Sequence, residues 1–103
     1  MKEKILRRLF LGFIQIHILY HAKNKPLYGT FMMEELKKHG YDISAGTLYP
    51  LLNKMAEHGL LSREDCLVKG KIRKYYTITT AGEEILKEAR TKAIELTRKL
   101  AVE

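Results

Sequence analysis

Ser44-Ala45-Gly46-Thr47-Leu48-Tyr49-Pro50-Leu51-Leu52-Asn53-Lys54-Met55 is the stretch on which the fold turns. Leu48, Leu51, Leu52 and Met55 recur at intervals of three and four, which makes one apolar stripe on a helix running up to Gly59. Ser44 stands where a helix N-cap hydroxyl is favoured. Pro50 falls inside this helix, where it removes one backbone bond and crowds the carbonyl four residues back. That residue is Gly46, whose missing side chain eases a local bend. With the stripe turned inward, the outer face presents Gly46, Tyr49, Pro50 and Asn53, with Ser44, Thr47 and Lys54 at its margins.

Working outward toward the N-terminus, the turn Gly40-Tyr41-Asp42-Ile43 precedes this helix, and Phe31, Met32 and Leu36 recur at helical spacing from Tyr28 to His39. Asn24-Lys25-Pro26 separates that short helix from a longer one over Lys2 to about Ala22. The long helix carries Ile5, Leu6, Leu9, Phe10, Phe13 and Ile14 on one stripe, and Leu11, Ile16, Ile18 and Leu19 widen it around the helix. A helix so widely apolar needs cover on several sides, and a second copy of the chain can supply it. Toward the C-terminus, Leu60–Glu64 and Lys74–Ile78 have strand-like composition, with Lys69-Gly70-Lys71 suited to a hairpin tip. Thr79 or Thr80 can cap a last helix, on which Leu86, Ala89, Ala93, Leu96 and Leu100 keep a heptad-like spacing and imply a partner-facing seam.

Two short helices joined by a glycine-containing turn and followed by a basic ribbon form the order of a winged helix-turn-helix, whose second short helix enters the major groove of DNA. The predicted fold class is mainly α with a small β wing, flanked by N- and C-terminal dimerisation helices. Residues 1–103 are expected to form a single domain, with about 1–80 the DNA-binding part and about 80–103 the C-terminal dimerisation helix. Side-chain chemistry agrees. Asn53 can make paired bonds to adenine, Ser44, Thr47 and Tyr49 can donate to phosphates, and Lys54 adds charge. Lys69, Lys71, Arg73 and Lys74 put four cations within six residues at the ribbon tip, as phosphate or minor-groove contact requires. The whole chain is basic, with 19 Lys plus Arg against 12 Asp plus Glu and a net charge of +7, which favours a polyanionic partner.

At these same residues the sequence resembles the PadR-like family of transcriptional regulators, through Tyr28-Gly29, the run Ser44–Leu52, Gly59-Leu60-Leu61, and Arg73-Lys74-Tyr75-Tyr76-Thr77-Ile78-Thr79. The resemblance spans roughly Ile14 to Leu86, and its Gly-Thr-Leu-Tyr-Pro run is rarer than a generic helix-turn-helix pattern. It implies a DNA-binding homodimer built on the first and last helices, commonly a repressor, and of the shorter branch with a single last helix. It adds Tyr28 to the DNA-contacting set, and it places Leu6, Phe10, Phe13 and His17 with the last-helix seam in the dimer contact. In some members a small aromatic or drug-like effector binds near the dimer interface and releases the DNA. This chain has no tryptophan, so the indole-stacking drug pocket of some short members does not carry over.

Other readings are weaker. His17 and His21 lie four apart and could share a metal, but no second cysteine or intervening carboxylate supports a site, and packing at the dimer contact is favoured. His39 and His58 read as helix-end residues, Met32, Met33 and Met55 as core, and Cys66 as an inert small residue. The single cysteine allows no intrachain disulfide and fits a cytoplasmic protein. The basic start followed by Leu9–Ile14 resembles a signal peptide only superficially, since Gln15 and His17 interrupt it and no small-x-small site follows. Neither a nucleophile triad nor a phosphate-binding glycine loop occurs in context, so no enzyme is predicted, and no cofactor is implied. The rival is a winged-helix protein-interaction module, against which the clustered cations of the ribbon argue. A membrane-surface role for the first helix comes third, because its apolar residues leave no clean polar face.

Overall fold

A computed structural model describes residues 1–102. Helix α1 runs over Lys2–Asn24, α2 over Gly29–Lys38 and α3 over Ala45–Glu57; strands β1, Leu61–Val68, and β2, Lys71–Ile78, form an antiparallel hairpin, and α4 covers Thr80–Ala101. The winged helix-turn-helix order and the mainly helical class therefore hold.

Backbone chemistry sets the boundaries. Lys25 leaves α1 in an extended conformation, which the following proline favours. Leu27 then pairs with Tyr76 of β2 in both directions, its N–H donating at 2.9 Å and its carbonyl accepting at 2.8 Å. Helices α2 and α3 end alike. Gly40 and Gly59 take φ of +85° and +78°, and the residue after each donates to a carbonyl five positions back, Tyr41 to Leu36 and Leu60 to Met55. Both are Schellman endings that require the left-handed conformation glycine adopts without strain. His39 and His58 are the C-cap residues, as the sequence suggests. Ser44 is the N-cap of α3, but its hydroxyl makes no capping bond and instead meets Thr47 Oγ1 at 3.2 Å. Thr79 does cap α4: its hydroxyl oxygen accepts from the Gly82 N–H at 3.1 Å and donates to the Gly59 carbonyl.

The wing is longer than predicted. Its strands have eight residues each, in the register Leu61↔Ile78 to Val68↔Lys71, closed by Lys69 and Gly70 with φ of 50° and 79°. Two positive-φ residues make the type I′ turn whose twist matches the strands it joins. Solvent-facing charges along Asp65–Arg73 obscure the two-residue period in the sequence, while the tight turn zips the strands to their ends.

One core joins every element. Ile14, Ile18, Leu19 and Ala22 of α1 meet Leu27, Met32 and Leu36 of the α2 region and Leu48, Leu52 and Met55 of α3, with Leu61 and Tyr76 from the wing base and Leu86 from α4. Leu86 thus needs no partner chain: it is buried within one chain, and the uncovered seam of α4 begins beyond it. Gly82 explains how α4 docks so closely, because a Cβ there would overlap the Leu60 carbonyl oxygen and stand 2.8 Å from Ile78 Cγ1. Gly82→Ala is expected to lower stability by about 1–3 kcal/mol through this overlap, outweighing alanine's better helix propensity of about 1 kcal/mol. Urea unfolding of the two proteins checks it; an alanine variant as stable as the parent would contradict the close docking.

His17 lies half-buried between α1 and the end of α2. Its ring stacks on His39 with centroids 5.4 Å apart and meets Tyr41 edge-on at 5.3 Å, while His21 points to Glu35 at 3.8 Å, itself paired with Lys38. Burial, then the neighbouring His39 and His21, hold the His17 pKa below its ordinary 6.5. The unfolded chain therefore binds more protons at this ring than the folded one, so stability rises with pH through this range and is lost as pH falls below about 6.5. Thermal unfolding midpoints should fall between pH 7.5 and 5.5, and less steeply in His17→Gln; identical slopes would contradict it.

Candidate nucleic-acid interface

Helix α3 and the wing enclose an open groove of about 570 Å³, and seven of the ten expected contact residues line it: Tyr28, Tyr49, Asn53, Lys69, Lys71, Arg73 and Lys74. Tyr49 is exposed and leans on the start of α2 at Gly29, where a Cβ would overlap its ring. The Tyr28-Gly29 pair therefore has a steric role: glycine leaves room for the ring of the outward α3 face. Arg73 lies over the Tyr28 ring, 4.1 Å from its centroid, and Tyr75 meets Tyr28 edge-on at 5.6 Å. This cation–π contact holds the arginine at the groove instead of leaving it a free tether. Lys69, Lys71 and Lys74 are exposed and make no ion pair among the described residues. Unpaired cations at a hairpin tip are suited to phosphates, because no internal bond must break first.

Three expected contacts lie elsewhere. Ser44 and Thr47 line a separate hollow against α1, together with Leu6 and Phe10, because the first turn of α3 faces that helix. Lys54 is exposed on α3 but lines neither hollow.

Asn53 reaches the groove but is not free. Tyr76 Oη donates to its Oδ1 at 2.7 Å, and Arg63 Nη1 lies 3.4 Å from the same oxygen. Arg63 in turn holds Asp65 through two parallel bonds of 2.9 and 3.0 Å, which keep the Asp65 carboxyl below the usual range. Burial raises the Tyr76 pKa, so the phenol keeps its proton and remains a donor at neutral pH. The paired adenine bonds expected of Asn53 need this oxygen as an acceptor, and in this geometry it is already engaged. The sequence reading missed Arg63, Asp65 and Tyr76. Their signal is the strand period: Arg63 and Asp65 share one face of β1, and Arg63 stands opposite Tyr76 across the hairpin.

The expected dimer residues are split. Phe10 and Leu100 are 49% and 69% exposed, and Leu6, Phe13, Ala93 and Leu96 are exposed as well. Ala89 and His17 are half-buried and Leu86 is buried, all within one chain. Among the described residues no group of three or more His, Cys, Asp or Glu is placed to hold a metal, and no helix is long and apolar enough to cross a membrane.

Comparison with known proteins bears on the family and the fold. Residues 18–88 match the model of the Transcriptional regulator PadR-like family. The transcriptional regulator Rv3488 of Mycobacterium tuberculosis is 40% identical over 87 residues, covering 84% of this chain and 81% of that protein. A PadR family transcriptional regulator from Eggerthella lenta superposes with a TM-score of 0.81 at 30% identity, over 96% of this chain and 88% of the other. A PadR-like transcriptional regulator from Bacillus cereus gives a TM-score of 0.81 and 30% identity over 91% and 93%. Sequence motifs, fold and these likenesses converge, and the chain belongs to the PadR-like family of transcriptional regulators.

Proposed function

We propose that the chain is a sequence-specific, non-catalytic repressor of the cytoplasm that binds a near-palindromic operator in double-stranded DNA as a homodimer. The observation that carries this reading is the groove itself: the outer face of α3 and four wing cations converge on one side of the molecule. A helix in the major groove and a basic hairpin on the flanking backbone divide base reading from phosphate binding.

Dimerisation is supported by uncovered apolar surface at both chain ends. Ile5, Leu6, Leu9, Phe10 and Phe13 of α1, with Ile94, Leu96 and Leu100 of α4, are 41% to 69% exposed, and large apolar side chains left uncovered in such number suit an interaction surface. A two-fold axis through these helices would set two α3 helices on one face, with half-sites roughly 34 Å apart or a multiple of it. In this reading residues 1–103 act as one domain, with about 1–80 binding DNA and the remainder serving the dimer. Occupying an operator is enough to block transcription, so repression demands no further contact surface. An effector of the small aromatic class fits the same reading. The hollow of about 590 Å³ between Leu6 and Phe10 of α1 and Ser44 and Thr47 of α3 connects the dimer helix to the DNA-reading helix.

Selection from random duplexes should enrich a two-fold symmetric site. Replacing Lys71 and Arg73 by Ala should weaken binding to it and reduce the salt slope by about one for each lost phosphate contact. Equal binding to all duplexes, or a slope unchanged by the double variant, would favour the protein-interaction module. In sedimentation, the parent should be dimeric at micromolar concentration and Phe10→Glu with Leu96→Glu monomeric. A monomeric parent would contradict the dimer.

A further inference from the structure

Resting on the DNA-binding reading above, we infer that Asn53 specifies a guanine in the major groove through its amide N–H groups, and that Tyr76 and Arg63 are positioning residues that fix it in this donor-only pose. An asparagine amide has one oxygen and one nitrogen, and which faces inward is decided by its neighbours. Arg63 settles this, because a guanidinium has only donors, so the amide atom 3.4 Å from Nη1 must be the oxygen. Arg63 is itself held by two bonds to Asp65, and Tyr76 donates to the same oxygen from the opposite strand. Two donors occupy the two lone pairs of Oδ1. The NH2 group has no bonding partner among the described residues and belongs to a half-buried side chain lining the groove between α3 and the wing.

An asparagine with both amide atoms free pairs with adenine, accepting from N6 and donating to N7. With the oxygen occupied, Asn53 presents donors alone, the pattern that lysine and arginine present to DNA. Guanine offers two adjacent major-groove acceptors, N7 and O6, which match it. Adenine sets its N6 amino group beside N7, donor against donor, cytosine offers only an amino donor, and thymine offers one acceptor, O4, beside its methyl group, so guanine alone gives two acceptors side by side. The wing therefore contributes to base choice without touching a base, by deciding which edge of Asn53 the DNA meets.

The test is selection of sites from random duplexes with the parent, Asn53→Asp and Tyr76→Phe, read position by position within the half-site. Asn53→Asp keeps an oxygen for Tyr76 and Arg63 but turns the outward group into an acceptor, so the position it controls should change from guanine to cytosine on the same strand. Tyr76→Phe adds no charge and should relax that one position by roughly tenfold, leaving the other positions and the salt slope unchanged. Thermal unfolding confirms that this variant is folded at the assay temperature. An adenine or a thymine at the position controlled by residue 53, or an unaltered preference there in Tyr76→Phe, would overturn the assignment. Failure of the parent to enrich any site would instead overturn the DNA-binding reading and this inference with it.

Discussion

Tyr76 joins three elements at once. Its backbone pairs with Leu27 just before α2, its ring lies in the core, and its hydroxyl bonds to Asn53 on α3. The wing cannot shift against the helix-turn-helix without breaking two backbone bonds, exposing a buried aromatic ring and freeing the Asn53 carbonyl. Buried polar groups left without partners cost about 1–3 kcal/mol each, so these bonds strongly favour one arrangement. Around this anchor, Leu48, Leu52 and Met55 pack α3 into the shared core against α2 and the wing base and aim its outer face away from it.

That geometry separates stability from function across the molecule. Apolar side chains fix the relative positions of α1, α2, α3 and the wing base, while the lysine side chains of the wing tip make no ion pair among the described residues. Arg73 is an intermediate case, since stacking on Tyr28 costs it little freedom yet keeps its charge at the groove. Small residues have the complementary role. Gly29 admits the Tyr49 ring and Gly82 admits the Leu60 carbonyl, so close approach at the helix starts depends on a missing Cβ.

Much of this was legible in the sequence. The helices follow from apolar residues at three- and four-residue spacing and from Gly40 and Gly59, which end α2 and α3 in the conformation only glycine takes freely. The cation cluster at the hairpin tip was equally plain. What escaped depends on tertiary contact. Heptad spacing in α4 cannot distinguish a leucine covered by its own chain from one awaiting a partner, and Leu86 proved to be the first kind. Helical spacing turns Asn53 away from the apolar stripe, but its bond to Tyr76 spans 23 residues and has no periodic signature. Helical spacing alone sets Ser44 and Thr47 at the outer margin of α3, whereas the course of α1 makes them part of a hollow beside Leu6 and Phe10.

In the proposed complex, α3 and the wing engage one DNA together, from each half of a two-fold symmetric dimer. Hydroxyl-radical footprinting on a selected duplex tests it most directly, because it maps backbone protection at single-nucleotide resolution. Two equivalent protected regions related by a dyad are expected, each flanked by protection from the wing that is lost when Lys69, Lys71 and Lys74 are replaced by Ala. A single unsymmetric footprint, or one unaltered by removing the wing cations, would contradict it.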